Sequence, residues 1–278
     1  MRKGLIFLFS FFGFFIFSQK PILLSGELKE ISGIQFINDS LLVAHNDGGN
    51  GPMLYFLNPN SGKILKRVVV KGVKNIDWED IALDSEYLYI GDFGNNTNKR
   101  KNLSIIRVLW KEALINDSIN SESMTFEYGD QKAFPPENKA LNFDTECMVF
   151  ADGFLWLFTK NRTEPFDGIS NVYRVKFQED THTILKKEYS IKIGSKGWMF
   201  DSVTGGDFTC GYFYLTTYNR VLKYRFSEGK FTLVKQYKYN EYNQKEAITV
   251  IKDDQIYVAN EFQKVLGKQK LHRISLKK

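Results

Sequence analysis

The residues that could do chemistry come in pairs two apart: Glu30 and Ser32, Asp77 and Glu79, Asp144 and Glu146, Ser202 and Thr204, Gln244 and Glu246. All ten carry side-chain oxygen and six are acidic. A spacing of two keeps both members on one face of an extended strand. Carboxylates gathered on one surface repel each other unless something positive joins them. Oxygen donors without Cys or His clusters suit a hard cation, calcium above all. Glu79, Glu146 and Glu246 are therefore the expected metal ligands. The competing reading has these carboxylates capping backbone N–H groups, pairing with Arg162 or Arg220, or hydrating a water-filled tunnel.

Each pair opens a repeated unit. Five segments align: EISGIQFINDSLLVAHND from Glu30, DWEDIALDSEYLYIGDFG from Asp77, DTECMVFADGFLWLFTKN from Asp144, SVTGGDFTCGYFYLTTYN from Ser202 and QKEAITVIKDDQIYVANE from Gln244. Each reads as a strand, a turn and a second, more aromatic strand. The starts advance by 47, 67, 58 and 42 residues, and two further strand-like runs fit between copies. Four short strands per roughly 50 residues make one propeller blade. The expected fold is all-β, a five-bladed β-propeller of four-stranded antiparallel blades. Six blades is the alternative, if residues 121–141 hide another sheet in the longest interval. Helical period is nearly absent, and its best candidate is the short run from Trp110 to Ile115.

The last copy supplies only three strands before the chain stops, so residues 21–28 are expected to close the last blade. That would remove open sheet edges. In such a ring the first strand of every blade lines a central channel, and the second strands end on the same face. The expected ligand-binding face comprises Glu30, Asp47, Asp77, Trp78, Asp92, Asp144, Arg162, Asp207, Arg220 and Glu261. Trp78 and Trp198 precede inner strands and are candidates for stacking on a ligand. Thr204-Gly205-Gly206-Asp207 interrupts an apolar strand pattern, which marks close approach by a ligand or a bulge.

Composition bounds the rest. The formal charge is +6, and its lysines are scattered without the aromatic interleaving of a nucleic-acid surface. Arg2 and Lys3 precede 14 uncharged residues, Gly4 to Phe17, which is the profile of a signal peptide over 1–18. An uncleaved anchor is the competing reading. Residues 19–278 then form one domain, secreted or periplasmic, with no stable membrane span, expected to be a monomer. Cys147 and Cys210 are the only cysteines, and whether they pair is left open. The glycine run Gly48-Gly49 has no helix after it to bind phosphate, and no G-x-S-x-G elbow exists. His45 beside Asp47 could act as a general base, or simply hydrogen-bond at the rim.

The progression EISGI, HNDG, LYFLNPNSGKIL, DWEDIA and LYIGDFGNN, between Glu30 and Asn96, resembles secreted bacterial β-propellers of the SdiA-regulated (YjiK-like) group. It is also similar to the esterase-like, phytase-related propellers. The resemblance implies an extracytoplasmic propeller whose channel can hold calcium. Glu79, Glu146 and Glu246 match its acidic residue opening an inner strand, whereas Ser32 and Thr204 depart from it. Two functions are then expected to compete. One is a module that binds a small molecule or extracellular ligand. The other is a metal-dependent hydrolase of phosphoester or lactone type.

Overall fold

Alternation of apolar and polar residues between turn signals produces 23 strands and two short helices in the computed structural model, which describes residues 17–18, 20–252 and 254–276. Blade one is Ile31–Asn38, Leu41–Asn46, Met53–Leu57 and Ile64–Val70, joined as an antiparallel meander. Blade two follows with Trp78–Leu83, Tyr87–Asp92, Leu103–Leu109 and Glu122–Tyr128. Blade three is Asp144–Ala151, Phe154–Lys160, Ile169–Val175 and Lys187–Lys192. Blade four is Gly205–Thr209, Tyr212–Thr216, Arg220–Ser227 and Lys230–Lys238. Blade five has Lys245–Lys252, Gln255–Asn260 and Lys270–Ser275. Each inner strand packs on the inner strands of both neighbouring blades, so the ring closes.

Hairpin turns hold the meanders tight. Asp152-Gly153 and Glu228-Gly229 both take positive φ at successive residues, the geometry whose twist matches paired strands. The hydrophobic core lies between blades. Five clusters each draw on two adjacent blades, and the one between blades three and four centres on Trp156 against Phe213, Phe226 and Phe231. Aromatic pairs of this kind add about 0.5–1.5 kcal/mol each beyond the area they bury.

The long interval holds no sixth blade among the described residues. The helix Trp110–Ile115 forms there, as its period suggests. Glu122–Tyr128 completes blade two, and Ser118–Ile119 adds in parallel to the outer edge of blade one. His182–Leu185 likewise covers the outer edge of blade two.

At the junction of the termini, Ile22–Leu23 pairs antiparallel with Lys270–Ser275. The strand expected over 21–28 is only that short, because Gly26–Leu28 winds into a 3-10 turn capped by the Ser25 hydroxyl. Phe17–Ser18 extends the same edge beside Ser275 and Ile274. The rest of the expected signal peptide lies outside the described residues. Cys147 is buried in the core and Cys210 sits exposed in a turn, both as free thiols. Among the described residues no helix is long and apolar enough to cross a membrane.

Candidate functional site

The inner strands of blades one, two, three and five share one local irregularity. The antiparallel register slips between Ile31 and Gly33, Trp78 and Asp80, Thr145 and Cys147, and Lys245 and Ala247. The residue skipped in each case is Ser32, Glu79, Glu146 or Glu246. A bulge leaves one residue out of the ladder and re-aims its side chain. All four line one cavity of about 340 Å³ at the mouth of the channel. The loops after second strands add Asp47, Arg162, Tyr218 and Glu261, and Lys160 ends its strand there. The helix Trp198–Asp201 overhangs the opening with Trp198 and Met199.

Carboxylates dominate the floor. Ligand atoms of Asp47, Asp77 and Glu79 lie within 4.8 Å of one another, as do those of Glu79, Asp144 and Glu146. Glu79 belongs to both triads and is 4% exposed. Among the described residues its carboxylate has no hydrogen-bond donor and no ion-pair partner. Burial, then the charges of Glu146 and Asp47, hold the Glu79 carboxyl well above its ordinary range. Burial raises Asp47 to about 7, with Asp77 and Glu246 adding to it. Burial also raises Asp77, against the pull of Arg100. A cation placed here would relieve all three at once.

The two triads differ in how free they are. Asp144 accepts the Asn95 N–H at 2.7 Å on Oδ1 and the Arg162 Nε–H at 2.7 Å on Oδ2. Glu146 faces Lys160 Nζ at 2.9 Å and Arg162 at 3.7 Å. Burial alone would discharge Lys160, but Glu146, Tyr218 and Glu246 keep its pKa above the ordinary lysine value. Asp47, Asp77 and Glu79 have no comparable partners, apart from Arg100 at 3.8 Å from Asp77 and the Gly48 N–H on Asp47. Gly94 makes room for them, since a Cβ there would overlap the carboxylates of Glu79 and Asp77.

Of the expected metal ligands, Glu79 and Glu146 come together, whereas Glu246 lines the same cavity outside both triads. Its Oε1 accepts from Tyr218 Oη at 3.1 Å and Gln244 Nε2 at 2.7 Å, and its Oε2 is buried without a partner. Glu261 is 7% exposed, and burial with the charge of Glu246 pushes its carboxyl up to about 10.

Other expected face residues go elsewhere. Trp78 is fully buried, edge-on to the His45 ring, and cannot stack on a ligand. Its position beside the bulge turns it into the core between blades one and two. Asp92 is buried as a bracket, accepting the Ile76 and Asp77 N–H groups and Arg100 at 2.8 Å. Asp207 accepts the Val250 N–H at 2.7 Å and the Thr249 hydroxyl at 2.8 Å, tying blade four to blade five. Arg220 pairs with Asp201 and the Ile193 carbonyl beside a different cavity. Glu30 is half-exposed and accepts from Asn50 at 2.7 Å. His45 is buried beside Asn46, off the rim.

Reasoning from spacing did not single out Arg100, Tyr218 or Tyr242, which bracket or line the site. Arg100 carried a readable signal only as part of Lys99-Arg100-Lys101, which looks like a solvated cluster.

The fold and site thus define a five-bladed propeller with an acidic, partly enclosed channel mouth. No protein-family model matches the chain, and no curated protein matches it. Among solved structures, Myxococcus xanthus glutaminyl cyclase is similar with a TM-score of 0.59 and 12% identity, over 95% of this chain and 97% of that one. A luciferin-regenerating enzyme aligns with a TM-score of 0.48 and 10% identity, over 92% and 95% of the two chains. A Xanthomonas campestris gluconolactonase gives 0.46 and 11%, over 85% and 69%. At these identities the likeness concerns the fold alone.

Proposed function

We propose that this chain is an exported ligand-binding propeller whose channel mouth holds a divalent cation on Asp47, Asp77 and Glu79. Calcium is the cation of choice, because the donors are hard oxygens with no thiolate or imidazole among them. The observation that carries this reading is Glu79. It is a buried carboxylate, shared by two acidic triads, with neither donor nor cation on it among the described residues. Burying an unpaired charge is costly enough that such a group either stays protonated or takes a cation. When bound, the ion would supply a positive centre facing the cavity, and Lys160 and Arg162 would remain on Glu146 and Asp144.

Export rests on the Arg2-Lys3 segment and the apolar run behind it. The resemblance to SdiA-regulated propellers over Glu30–Asn96 supports the same compartment. A hydrolytic reading shares the same ion. It needs proton-transfer groups on the cavity wall outside the ion's ligands, and Glu246 and Glu261 are the carboxyls placed there.

The test is thermal unfolding of chelator-treated protein with and without calcium. The reading expects a rise in Tm at millimolar calcium that is lost in Glu79→Gln. No calcium-dependent rise in the wild type would overturn it. Assays on phosphoester and lactone substrates with calcium then separate hydrolysis from binding.

A further inference from the structure

The carboxylates of the cavity are not neutralised evenly. Apart from Glu79, those from blades two and three have Arg100, Lys160 or Arg162 beside them. Among the described residues no Lys or Arg ion-pairs with Glu246 or Glu261 of blade five. Glu246 is held in one orientation, with Oε1 taken by Tyr218 and Gln244 and Oε2 buried without a partner. A carboxylate fixed on one oxygen and left empty on the other is built to receive a donor. Desolvating it without one is unfavourable by about 1–3 kcal/mol or more.

The lip above this corner is apolar. Trp198, Met199, Tyr242 and Leu266 line the cavity and are each between 38% and 47% exposed. They come from one short helix and two loops, and Tyr242 is pinned to the helix by donating to the Met199 carbonyl at 3.1 Å. Arg162 lies over the Trp198 ring at 5.3 Å, which fixes the face that Trp198 turns to the cavity.

We infer that Glu246 and Glu261 form a second subsite, separate from the metal triad, that takes an organic ammonium ion carrying an apolar substituent. A primary ammonium has three donors and no acceptor, so it satisfies Glu246 Oε2 and, as the Glu261 carboxyl gives up its proton to solvent, that carboxylate as well. Two carboxylates and no further ligand make a poor calcium site, which takes six to eight oxygens. The apolar substituent then covers Trp198, Met199, Tyr242 and Leu266, and removes them from water. This names the ligand class of the cavity described above and rests on its reading as a ligand site, but not on the ion.

The probe is 2-phenylethylamine, with 2-phenylethanol as the neutral control, titrated calorimetrically into the full mature chain. Both chelator-treated and calcium-saturated protein are used. The amine should bind at least about tenfold more tightly than the alcohol. Glu261→Gln should weaken the amine by about tenfold and leave the calcium-dependent Tm rise unchanged. Trp198→Ala, at a position 42% exposed, should weaken amine and alcohol alike. Equal binding of the two compounds, no binding of the amine, or an unchanged amine affinity in Glu261→Gln would each overturn the assignment. Loss of the calcium effect with amine binding intact would sink the metal reading and leave this one standing.

Discussion

The hydroxyl of Ser32 donates to the backbone carbonyl of Glu79 at 2.6 Å, so the first blade grips the second at the residue that heads the acidic site. Thr204 does the same between blades four and five, donating to the Lys245 carbonyl at 2.7 Å next to Glu246. The two ring positions that lack a carboxylate are therefore not vacant ligands. They are staples that fix the bulges carrying Glu79 and Glu246. Replacing Ser32 with Ala leaves a buried carbonyl unpaired and should destabilise the fold by about 1–3 kcal/mol. Urea unfolding measures this, and the calcium-dependent increment should survive. A Ser32→Ala protein as stable as the wild type would show that the staple carries no weight.

Glu79→Gln should reverse its effect with calcium. Without the ion, Glu79 is a carboxylate whose ionised form is disfavoured by burial and by Glu146. A neutral amide there should leave the chelator-treated protein at least as stable as the wild type near pH 8. With calcium the order should invert, because only the wild type gains the ion's binding energy. Calcium affinity should also fall as pH falls, since Glu79, Asp77 and Asp47 all have raised carboxyl values and must shed protons to bind. Calorimetry at pH 6 and pH 8 checks the sign; a pH-independent affinity would contradict it.

Gly94→Ala is a steric probe of the same triad. The new methyl would meet both the Glu79 and the Asp77 carboxylates, each the end of a side chain that can move only by leaving the cluster. Calcium affinity should drop by about tenfold or more, equivalent to roughly 1.4 kcal/mol. Binding of 2-phenylethylamine at Glu246 and Glu261 should be little changed. Titration of both ligands into the one variant decides whether the two subsites are separable.

The ring was legible because the inner-strand motif recurs at blade spacing, and because helical period is nearly absent, with Trp110–Ile115 its best candidate. Glu79, Glu146 and Glu246 were legible as a set because the repeat aligns them. What the alignment does not carry is the bulge. With a regular strand, Asp77 and Glu79 or Asp144 and Glu146 would share a face by period alone, and Trp78 would turn away to the other. In the structure both pairs do come together and Trp78 lies deep in the core, but Glu79 and Glu146 stand out of the ladder at the bulges, in the cavity. Asp207 and Arg220 show a second limit. Acidic and basic side chains near a channel read as ligands in a sequence, yet Asp207 serves backbone donors of the next blade and Arg220 serves Asp201. Polar groups that hold blades together have the same residue types as polar groups that hold a ligand. Only their partners distinguish them.

His45 should set part of the acid stability. Its ring is buried and packs edge-on to Trp78, with Nδ1 bonded to the Asn46 carbonyl and Nε2 without a partner. Burial lowers its pKa to about 4, against 6.5 for a free imidazole. The unfolded chain therefore binds a proton below pH 6.5 that the folded chain refuses until about pH 4. Stability from this group is fully present above pH 6.5 and is lost as pH falls through that window. The loss is at most roughly 3 kcal/mol, from the size of the shift. Other titrating groups act in the same range, so the informative quantity is the difference between wild type and His45→Phe. Phe keeps the aromatic contact with Trp78 and cannot be protonated. The slope of unfolding free energy against pH between 4 and 6.5 should be flatter in the variant by up to one proton. Parallel slopes would mean that His45 takes up its proton in the folded state, and that its unpartnered Nε2 is reached by water.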